Sequence, residues 1–330
     1  MRLVIVDDNC QDQVNGVVTT MNAVKKQMFS RGIQNLIHIT PDQMMSMPAL
    51  VYPGARIPLN FWNLKKRIEA YEPTHLHICT EGVLGLTARQ FFQNKNWRYT
   101  TSFHTRWDHY LKEKFGVPAL KTMRYLKWFH QNSAATLVNT PTMQREMVSL
   151  GLSQAITWSR GVNTQLFQFN DRKCDTKPTL LSVGRISAEK NLEVFCSLSA
   201  EKYNLVCVGD GPDLKRLQNK YPWVTFTGQL SGKQLVQQFQ NADCFVFTSK
   251  SDTFGLVMIE SMSVGTPVAA FPVQGPIDVV DDGVTGVLNE DIQTAISQCL
   301  TLSRKTVFEG SKRWSWEKTT DIFVDTLVPK

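Results

Sequence analysis

Long apolar runs are missing from this 330-residue sequence, in which no stretch approaches the roughly 20 residues that a membrane-spanning helix needs. The N-terminal run MRLVIVDD ends in acidic side chains, where a signal peptide would have its cleavage region. These two absences argue against an integral membrane protein with helical spans. They predict a soluble or peripheral protein in the cytoplasm.

The sequence also lacks the cysteine and histidine spacing of a zinc site, and no Asp-x-Asp motif follows a predicted strand. Its seven cysteines are an odd number, lie far apart and fall mostly within apolar runs, so we expect reduced core residues. The sequence therefore predicts no metal site and no bound cofactor. The cysteines are Cys10, Cys79, Cys174, Cys196, Cys207, Cys244 and Cys299.

What the sequence does contain is a repeated alternation of strand-like and helix-like segments. Five short apolar runs in the first half alternate with amphipathic stretches, and five runs in the second half follow the same pattern. Such alternation predicts βαβ units and parallel sheets. The predicted strands are Leu3–Val6, Leu36–Ile39, His75–Cys79, Tyr99–Phe103 and Ala135–Val138, then Thr179–Val183, Asn204–Gly209, Val224–Thr227, Cys244–Thr248 and Val268–Phe271.

A polar segment without periodicity separates the two sets of strands and ends at Pro178. Because 42% of the residues are hydrophobic, a chain of this length is able to build two cores. We expect one domain at 1–164, a linker at 165–178 and a second domain at 179–313. The predicted fold class is α/β, with two doubly wound parallel-sheet (Rossmann-like) domains that bind ligand at the carboxyl ends of their strands.

Charge is distributed unevenly between the two halves. Residues 1–165 hold 19 Lys and Arg against 10 Asp and Glu, a net charge of +9, whereas the rest of the chain holds 17 against 19. The net charge of +7 is therefore carried by the first half. A basic half favours an anionic partner, such as phospholipid head groups or nucleic acid, although solvated basic faces are also common.

The segment Lys250–Val268, KSDTFGLVMIESMSVGTPV, follows a predicted strand and has the features of a ligand-binding loop. The loop carries the carboxylate of Asp252 and then enters a helix, whose free N–H groups favour an anion. Gly255 allows close approach to the backbone, and Glu260 can accept hydrogen bonds from sugar hydroxyls. This pattern predicts a site for a phosphate and a polyol, although a turn before a helix with one solvated glutamate also fits it.

A second loop, after the predicted strand Thr179–Val183, carries two cations. Gly184 and Arg185 follow the strand directly, and Lys190 lies just before a helix that starts near Leu192. Arginine as a fork and lysine as a point charge are able to close on a pyrophosphate from two sides. The alternative is a pair of surface cations with Glu189 as the local partner.

These motifs resemble the donor site of retaining glycosyltransferases of family 4, which have the GT-B fold of two domains facing a central cleft. Further matches follow in the family's order over most of the chain. The resemblance is weakest from Ile39 to Tyr71 and at Asp12, where the family pattern has a proline, and Asp252 stands where the family usually has glutamate. The other matching motifs are VDDNCQDQVNGVVTT, HICTEG, SFHTRWDHY, SVGRISAEKN, VGDGP, FTG and RWSWEKTTDIF.

The resemblance implies that domain 1–164 binds the acceptor, that domain 179–313 binds the donor, and that a C-terminal helix at 314–330 packs back onto the first domain. The catalytic residues it implies are His104, Arg185, Lys190 and Asp252. The donor-binding residues it implies are Asn15, Gly16, Gly184, Gly209, Phe226, Gly228, Thr253, Phe254, Gly255, Leu256 and Glu260. The acceptor-side candidates are Asp8, Glu81, Arg106 and Trp107.

The resemblance also implies the chemistry. Retaining transfer proceeds on one face of the sugar, and the leaving phosphate helps to deprotonate the acceptor. Arg185, Lys190 and the Gly16 amide are expected to stabilise that phosphate. Asp252 and Glu260 serve recognition, and His104 orients a donor hydroxyl. The fold needs no metal, so the nucleotide-sugar is a co-substrate and no cofactor is expected.

Three functions are open at this point. The first is a hexosyl or pentosyl transferase that moves a sugar from a GDP- or UDP-sugar to an anionic or membrane-associated acceptor, a glycolipid or envelope glycan, with peripheral contact at the inner face of the membrane. The second keeps the donor and modifies hydroxymethylcytosine in DNA, as bacteriophage enzymes do in the host cytoplasm. The third is a non-catalytic nucleic-acid or membrane-binding protein, which the presence of both cations and both carboxylates disfavours.

Overall fold

The computed structural model describes residues 1–13, 15–48, 56–104, 106–173 and 176–330, without the side chains of 109, 110, 113 and 114. The described chain divides into two compact units. The N-terminal unit comprises Met1–Arg160 and Trp316–Lys330, and the C-terminal unit comprises Gly161–Ser315.

The N-terminal unit is built on a six-stranded parallel sheet with the strand order β2-β1-β5-β6-β7-β8. Strands β1, β6 and β7 are buried along their whole length, because both faces of a parallel sheet are covered by helices. The winding direction reverses between β1 and β5, so the loops after these strands diverge there. The strands are β1 (Leu3–Val6), β2 (Leu36–Ile39), β3 (Ser46–Pro48), β4 (Arg56–Pro58), β5 (His75–Ile78), β6 (Thr100–Phe103), β7 (Ala135–Val138) and β8 (Ala155–Thr157).

Helices cover both faces of this sheet. Successive side chains of strand β1 point to opposite faces of the sheet. Val4 and Val6 pack with helices α2, α3 and α5, whereas Leu3 and Ile5 pack with helices α1 and α14. The C-terminal helix α14 is thus part of the N-terminal unit. The helices are α1 (Gly16–Ser30), α2 (Asn63–Tyr71), α3 (Val83–Asn94), α4 (Trp107–Phe115), α5 (Ala119–His130), α6 (Pro141–Ser149) and α14 (Trp316–Thr326), with a 3-10 turn at Pro41–Gln43.

Strands β3 and β4 form a separate antiparallel hairpin, in which Met47 lies opposite Ile57. The sequence did not predict this hairpin or strand β8. Both elements have three-residue strands, which are too short to show a clear period.

The C-terminal unit has a second six-stranded parallel sheet, with the order β11-β10-β9-β12-β13-β14. This is the doubly wound order whose direction reverses between β9 and β12, and ligands bind such sheets at that point. The strands are β9 (Thr179–Val183), β10 (Asn204–Val208), β11 (Thr225–Gly228), β12 (Cys244–Phe247), β13 (Val268–Ala270) and β14 (Gly286–Leu288).

Two apolar layers flank this second sheet. One contains Phe195 and Leu217 and the other contains Phe239 and Met262. Val162 and Phe167 are buried in the second layer, so the chain enters this unit before the segment that the sequence predicts as a linker. The helices are α7 (Leu192–Cys196), α8 (Leu214–Lys220), α9 (Gly232–Asn241), α10 (Leu256–Ser263), α11 (Pro276–Val279), α12 (Ile292–Cys299) and α13 (Arg304–Ser311), with a 3-10 turn at Ala188–Lys190.

The described cysteines are buried and unpaired, as predicted, and Cys174 lies outside the described residues. Among the described helices, none combines the length and the apolar character that crossing a bilayer requires.

Candidate functional site

An ion pair lies at the switch point of the C-terminal sheet. The ammonium Nζ of Lys190, on the loop after β9, is 2.7 Å from each carboxylate oxygen of Asp252, on the loop after β12. Each side chain retains about a quarter of its exposure. The structure thus brings together two predicted catalytic residues, and both remain accessible to a ligand.

Further hydrogen bonds hold these two loops together. The hydroxyl of Thr248 donates to the Lys190 carbonyl at 2.8 Å, and that of Ser249 donates to the Glu189 carbonyl at 3.1 Å. The Glu189 carboxylate accepts from Ser187, so it is not the partner of Lys190. The alternative of two surface cations with Glu189 as local partner is therefore wrong for Lys190, whose position is set by the neighbouring strand.

Glu260 lies in the second turn of α10. This helix begins at Leu256, directly after Gly255, whose left-handed φ of +80° ends the loop. The Glu260 carboxylate is half-buried, accepts no hydrogen bond from the described residues, and has its pKa raised to about 7 by burial. It is therefore an unfilled acceptor rather than the solvated glutamate of the alternative interpretation.

Three glycines lie at the carboxyl ends of β9, β10 and β11. Gly209 donates its N–H to Gly228 at 2.9 Å, and Gly184 donates to the carbonyl of Val208 at 3.0 Å. A Cβ on Gly209 would lie 1.8 Å from the Gly184 carbonyl oxygen, so this close backbone approach requires glycine. The result is a stretch of bare backbone beside the loop that carries Lys190.

The other predicted donor residues of this unit differ in exposure. Phe254 is 4% exposed and packs edge-on against Trp314, so its side chain belongs to the core and only its backbone is able to contact a ligand. Arg185, Phe226, Thr253 and Leu256 are half-buried. Their contacts with a donor stay predictions.

In the N-terminal unit, Asn15 and Gly16 lie where β1 leads into α1. The side chain of Asn15 caps the helix by accepting from Val17 and Val18 at 3.0 and 2.9 Å. The N–H of Gly16 has no partner among the described residues. Because it lies at the N-terminus of a 15-residue helix, this amide is suited to an anion.

His104, which follows β6, is 6% exposed and bound on both ring nitrogens. Arg160 donates to Nδ1 at 2.8 Å, so the ring proton is on Nε2, which donates to Ser102 Oγ at 2.9 Å. Burial, and next the charge of Arg160, hold the pKa of His104 well below its usual value. A direct contact of this neutral ring with a donor hydroxyl therefore requires the exchange of one of these two bonds.

Arg160 was not predicted from the sequence. Its guanidinium also donates to Asn139 Oδ1 at 2.6 Å and to the Trp158 carbonyl at 2.9 Å, and it lies 4.7 Å from the Trp158 ring centroid. A single arginine before a glycine, with no charged residue nearby in the sequence, offers no signal of this buried role.

The carboxylate of Asp8 anchors the N-terminus of α3. It accepts from the backbone N–H of Gly82 at 2.9 Å, of Leu84 at 2.7 Å and of Gly85 at 3.2 Å, and from the hydroxyl of Thr80 at 2.9 Å. The structure therefore gives Asp8 a capping role at the start of α3.

The remaining acceptor-side candidates are held by protein partners. Glu81 is buried, with one carboxylate oxygen 3.1 Å from His130 Nε2 and the other accepting from Trp107 Nε1 at 3.3 Å. Arg106 pairs with Asp108 and Glu146 at 2.8 and 2.9 Å. Glu81 is thus not a solvated loop acid. These side chains reach an acceptor only by leaving their present partners.

Comparison with known proteins gives two family matches that together span most of the chain. Residues 14–166 match the model of Glycosyltransferase Family 4, and residues 163–299 match the model of Glycosyl transferases group 1.

Three curated relatives share this similarity. A GDP-mannose-dependent alpha-mannosyltransferase of Mycobacterium tuberculosis is 26% identical, covering 87% of this chain and 83% of the relative. The sulfoquinovosyl transferase SQD2 of Arabidopsis thaliana is 28% identical over 92% of this chain and 64% of its own length. An alpha-monoglucosyldiacylglycerol synthase of Streptococcus pneumoniae is 23% identical, covering 99% of this chain and 86% of the relative.

Solved structures share the fold at low sequence identity. A sucrose-phosphate synthase of Thermosynechococcus elongatus has a TM-score of 0.80 at 19% identity, and each chain is covered to 98%. HepE of Anabaena, solved in complex with UDP, has a TM-score of 0.75 at 14% identity over 99% of each chain. The chain belongs to glycosyltransferase family 4, and it is a nucleotide-sugar-dependent glycosyltransferase with the GT-B fold.

Proposed function

We propose that this protein is a retaining transferase that moves a hexosyl or pentosyl group from a GDP- or UDP-sugar to a membrane glycolipid or an envelope glycan. The observation that carries the proposal is the Lys190–Asp252 pair at the switch point of the C-terminal sheet, together with the unfilled carboxylate of Glu260 on the helix that follows the Asp252 loop. A nucleotide-sugar requires a cation that binds its phosphates and hydrogen-bond acceptors that bind its sugar hydroxyls.

The proposed donor carries either guanine or uracil as its base. The mycobacterial relative is named for GDP-mannose, whereas HepE was solved with UDP. The bare backbone at Gly228 and the neighbouring Phe226 are the proposed base-binding region, where backbone groups choose between guanine and uracil. The C-terminal unit is thus proposed to bind the donor, and the N-terminal unit the acceptor.

The acceptor proposal rests on charge and on the relatives' names. The first half of the chain carries the whole net positive charge, which favours an anionic acceptor or surface. The streptococcal relative is named for a diacylglycerol product. No observation favours hydroxymethylated DNA or a non-catalytic role.

The proposed reaction needs little covalent chemistry from the protein. The acceptor oxygen bonds to the anomeric carbon on the face that the leaving group departs from, the bond to the phosphate oxygen breaks, and the hydroxyl proton passes to that phosphate. Lys190 and Arg185 stabilise the charge on the departing diphosphate, and the Gly16 amide is proposed to assist. Asp252 and Glu260 hold the sugar, and His104 is proposed to orient a hydroxyl without attacking carbon. No metal is required in this scheme.

The test is a turnover screen of GDP- and UDP-sugars with an anionic lipid extract, and with hydroxymethylcytosine DNA as the competing acceptor. We expect transfer from one donor class to lipid, no loss of rate in EDTA, and a product whose NMR coupling at the anomeric carbon shows the donor's configuration. An inverted product contradicts the retaining mechanism. Transfer to DNA alone contradicts the acceptor, and loss in EDTA contradicts metal independence.

A pH-dependent prediction concerns Glu260, whose pKa in the free protein is raised to about 7. Sugar hydroxyls bind the ionised carboxylate better, so donor affinity is expected to rise as the pH rises through 7. Glu260→Gln should weaken donor binding by roughly 10- to 100-fold at pH 8, which is the contribution of a hydrogen bond to a charged group. The same change should remove most of the pH dependence of donor affinity. Calorimetric titration at pH 6 and pH 8 measures both effects, with the exposed Glu290→Gln as control.

The same raised pKa predicts an opposite effect on stability. The folded protein keeps a proton on Glu260 that the unfolded chain releases above its ordinary pKa of 4.5, so stability falls as the pH rises from 4.5 to 7. Glu260→Gln should therefore raise the free energy of unfolding at pH 8 by about 1–3 kcal/mol, below the full value of the shift because the group is partly exposed. Equal melting of both proteins at pH 8 contradicts the burial argument.

A further inference from the structure

The N-terminal unit carries an exposed apolar ridge on the β3–β4 hairpin and the start of α2. Met47 and Ile57 are opposite each other in the hairpin, and the Leu59 N–H donates to the Met45 carbonyl at 2.7 Å. Alternation along each strand therefore places these four side chains on one face of the hairpin. The ridge comprises Met45, Met47, Ile57, Leu59, Phe61 and Trp62, which are 61%, 48%, 38%, 41%, 39% and 58% exposed.

Helix α2 shows that this exposure is specific to one surface. Leu64 and Ile68 are buried in the core of the N-terminal unit, while Phe61 and Trp62, just before the helix, remain outside with ring centroids 5.6 Å apart. A contiguous exposed apolar set of this kind, with two aromatic rings at its end, is typical of an interaction surface.

Basic residues outnumber acidic ones in and beside the ridge segment, which Asp42 and Glu69 flank in the sequence. Between Gln43 and Ile68 the sequence holds four basic residues and no acidic one. Arg56 donates to Ser46, and Arg67 donates to Gln43, so the hydrogen bonds of these cations go to neutral oxygens. Lys65 and Lys66 are exposed. The partner that complements this surface is therefore anionic and apolar at once.

We propose that the ridge docks on the surface of an anionic lipid bilayer. Methionine, tryptophan and phenylalanine enter the boundary between head groups and acyl chains, and the lysines and arginines meet the anionic head groups. A second copy of this chain would bring the same cations face to face, which disfavours self-association through the ridge. The proposal deepens the proposed function, since a membrane acceptor requires the enzyme to reach the bilayer.

The experiment is flotation with vesicles of phosphatidylcholine alone and of phosphatidylcholine mixed equally with phosphatidylglycerol, without donor or acceptor. We expect binding to the mixed vesicles, and a loss of about tenfold or more in Met47→Ser/Ile57→Ser, which removes a cross-strand apolar pair. Lys65→Ala/Lys66→Ala should bind more weakly and with less dependence on salt. The control is Phe29→Ser, because Phe29 is 45% exposed on α1, which packs on the opposite face of the sheet.

Thermal stabilisation by nucleotide-sugar, unchanged in every variant, shows that each one is folded. Wild-type protein that stays free of mixed vesicles overturns the proposal, as does equal loss in Phe29→Ser. A wild-type dimer that the ridge variant converts to a monomer overturns it in favour of self-association. Vesicle binding without transfer to lipid would leave the ridge proposal standing and remove the proposed acceptor, so the two failures are distinguishable.

Discussion

Lys190→Ala is expected to lower kcat/KM by about 10³-fold, near the upper value for removing one preorganised group that stabilises developing negative charge. The ammonium of Lys190 is held at 2.7 Å from both oxygens of Asp252 by loops that are themselves hydrogen-bonded. Little reorganisation is therefore needed before it meets the diphosphate that it is proposed to stabilise. Its loss also leaves the Asp252 carboxylate without its cation, next to the site proposed for an anionic donor.

This second consequence makes a double-variant test possible. If the unpaired Asp252 repels the donor in Lys190→Ala, then adding Asp252→Asn should improve nucleotide binding in that background. In the wild-type background the same change should impair transfer, because the carboxylate is proposed to hold the sugar. If Asp252→Asn is beneficial in the Lys190→Ala background and harmful in the wild type, the two side chains are coupled through their charges. Calorimetry measures nucleotide binding, and steady-state kinetics measures transfer.

Lys250→Ala is the matched control for Lys190→Ala. Lys250 is an exposed lysine on the loop after β12 that also carries Asp252, and its ammonium lies 4.4 Å from the ring centroid of Phe271. We expect this change to alter kcat/KM by no more than about threefold, since a surface cation contributes little. If Lys190→Ala and Lys250→Ala behave alike, Lys190 does not stabilise the leaving group.

Much of the fold was predictable because both sheets are built from short, fully buried apolar runs. Leu3–Val6 and Cys244–Phe247 are examples, and turn residues separate them from amphipathic helices. Strands β8 and β14 and the β3–β4 hairpin were missed, since three residues are too few to establish a period. Strand β13 is equally short, but it lies in the longer apolar run Val268–Phe271. In the hairpin, Pro48 and Pro58 further weaken the strand pattern.

The pairing inside the site could not be predicted in the same way. Lys190 and Asp252 were each identified from their own loop, but they lie 62 residues apart and meet only because β9 and β12 are neighbours. Arg160 is the clearer example of a site residue that the sequence could not predict. Its contacts with His104 and Asn139 depend on three separate strand ends, and no local pattern encodes them.

Gly209→Ala is expected to lower the free energy of unfolding by about 3–5 kcal/mol, because two effects combine. At φ +144° a side chain is strained, and the new Cβ would lie 1.8 Å from the carbonyl oxygen of Gly184. Relief of that overlap separates the ends of β9 and β10, and this weakens the hydrogen bonds from Gly209 to Gly228 and from Gly184 to Val208. A melting temperature lower by about 10 °C should result.

Gly283→Ala separates strain from overlap. Gly283 also has a positive φ, +75°, but a Cβ there meets no atom within 4 Å, so only about 1 kcal/mol of strain is expected. Donor affinity also distinguishes the two variants. Gly209→Ala should lower it, because movement of Gly184 displaces Arg185, whereas Gly283 lies in a turn before β14 and its substitution should leave donor affinity unchanged. If both variants lose equal stability and both keep full donor affinity, the close contact of β9 and β10 does not shape the donor site. The expected result, a large loss in both properties for Gly209→Ala alone, would show that the same backbone contact that stabilises the sheet also positions the loop that carries Arg185.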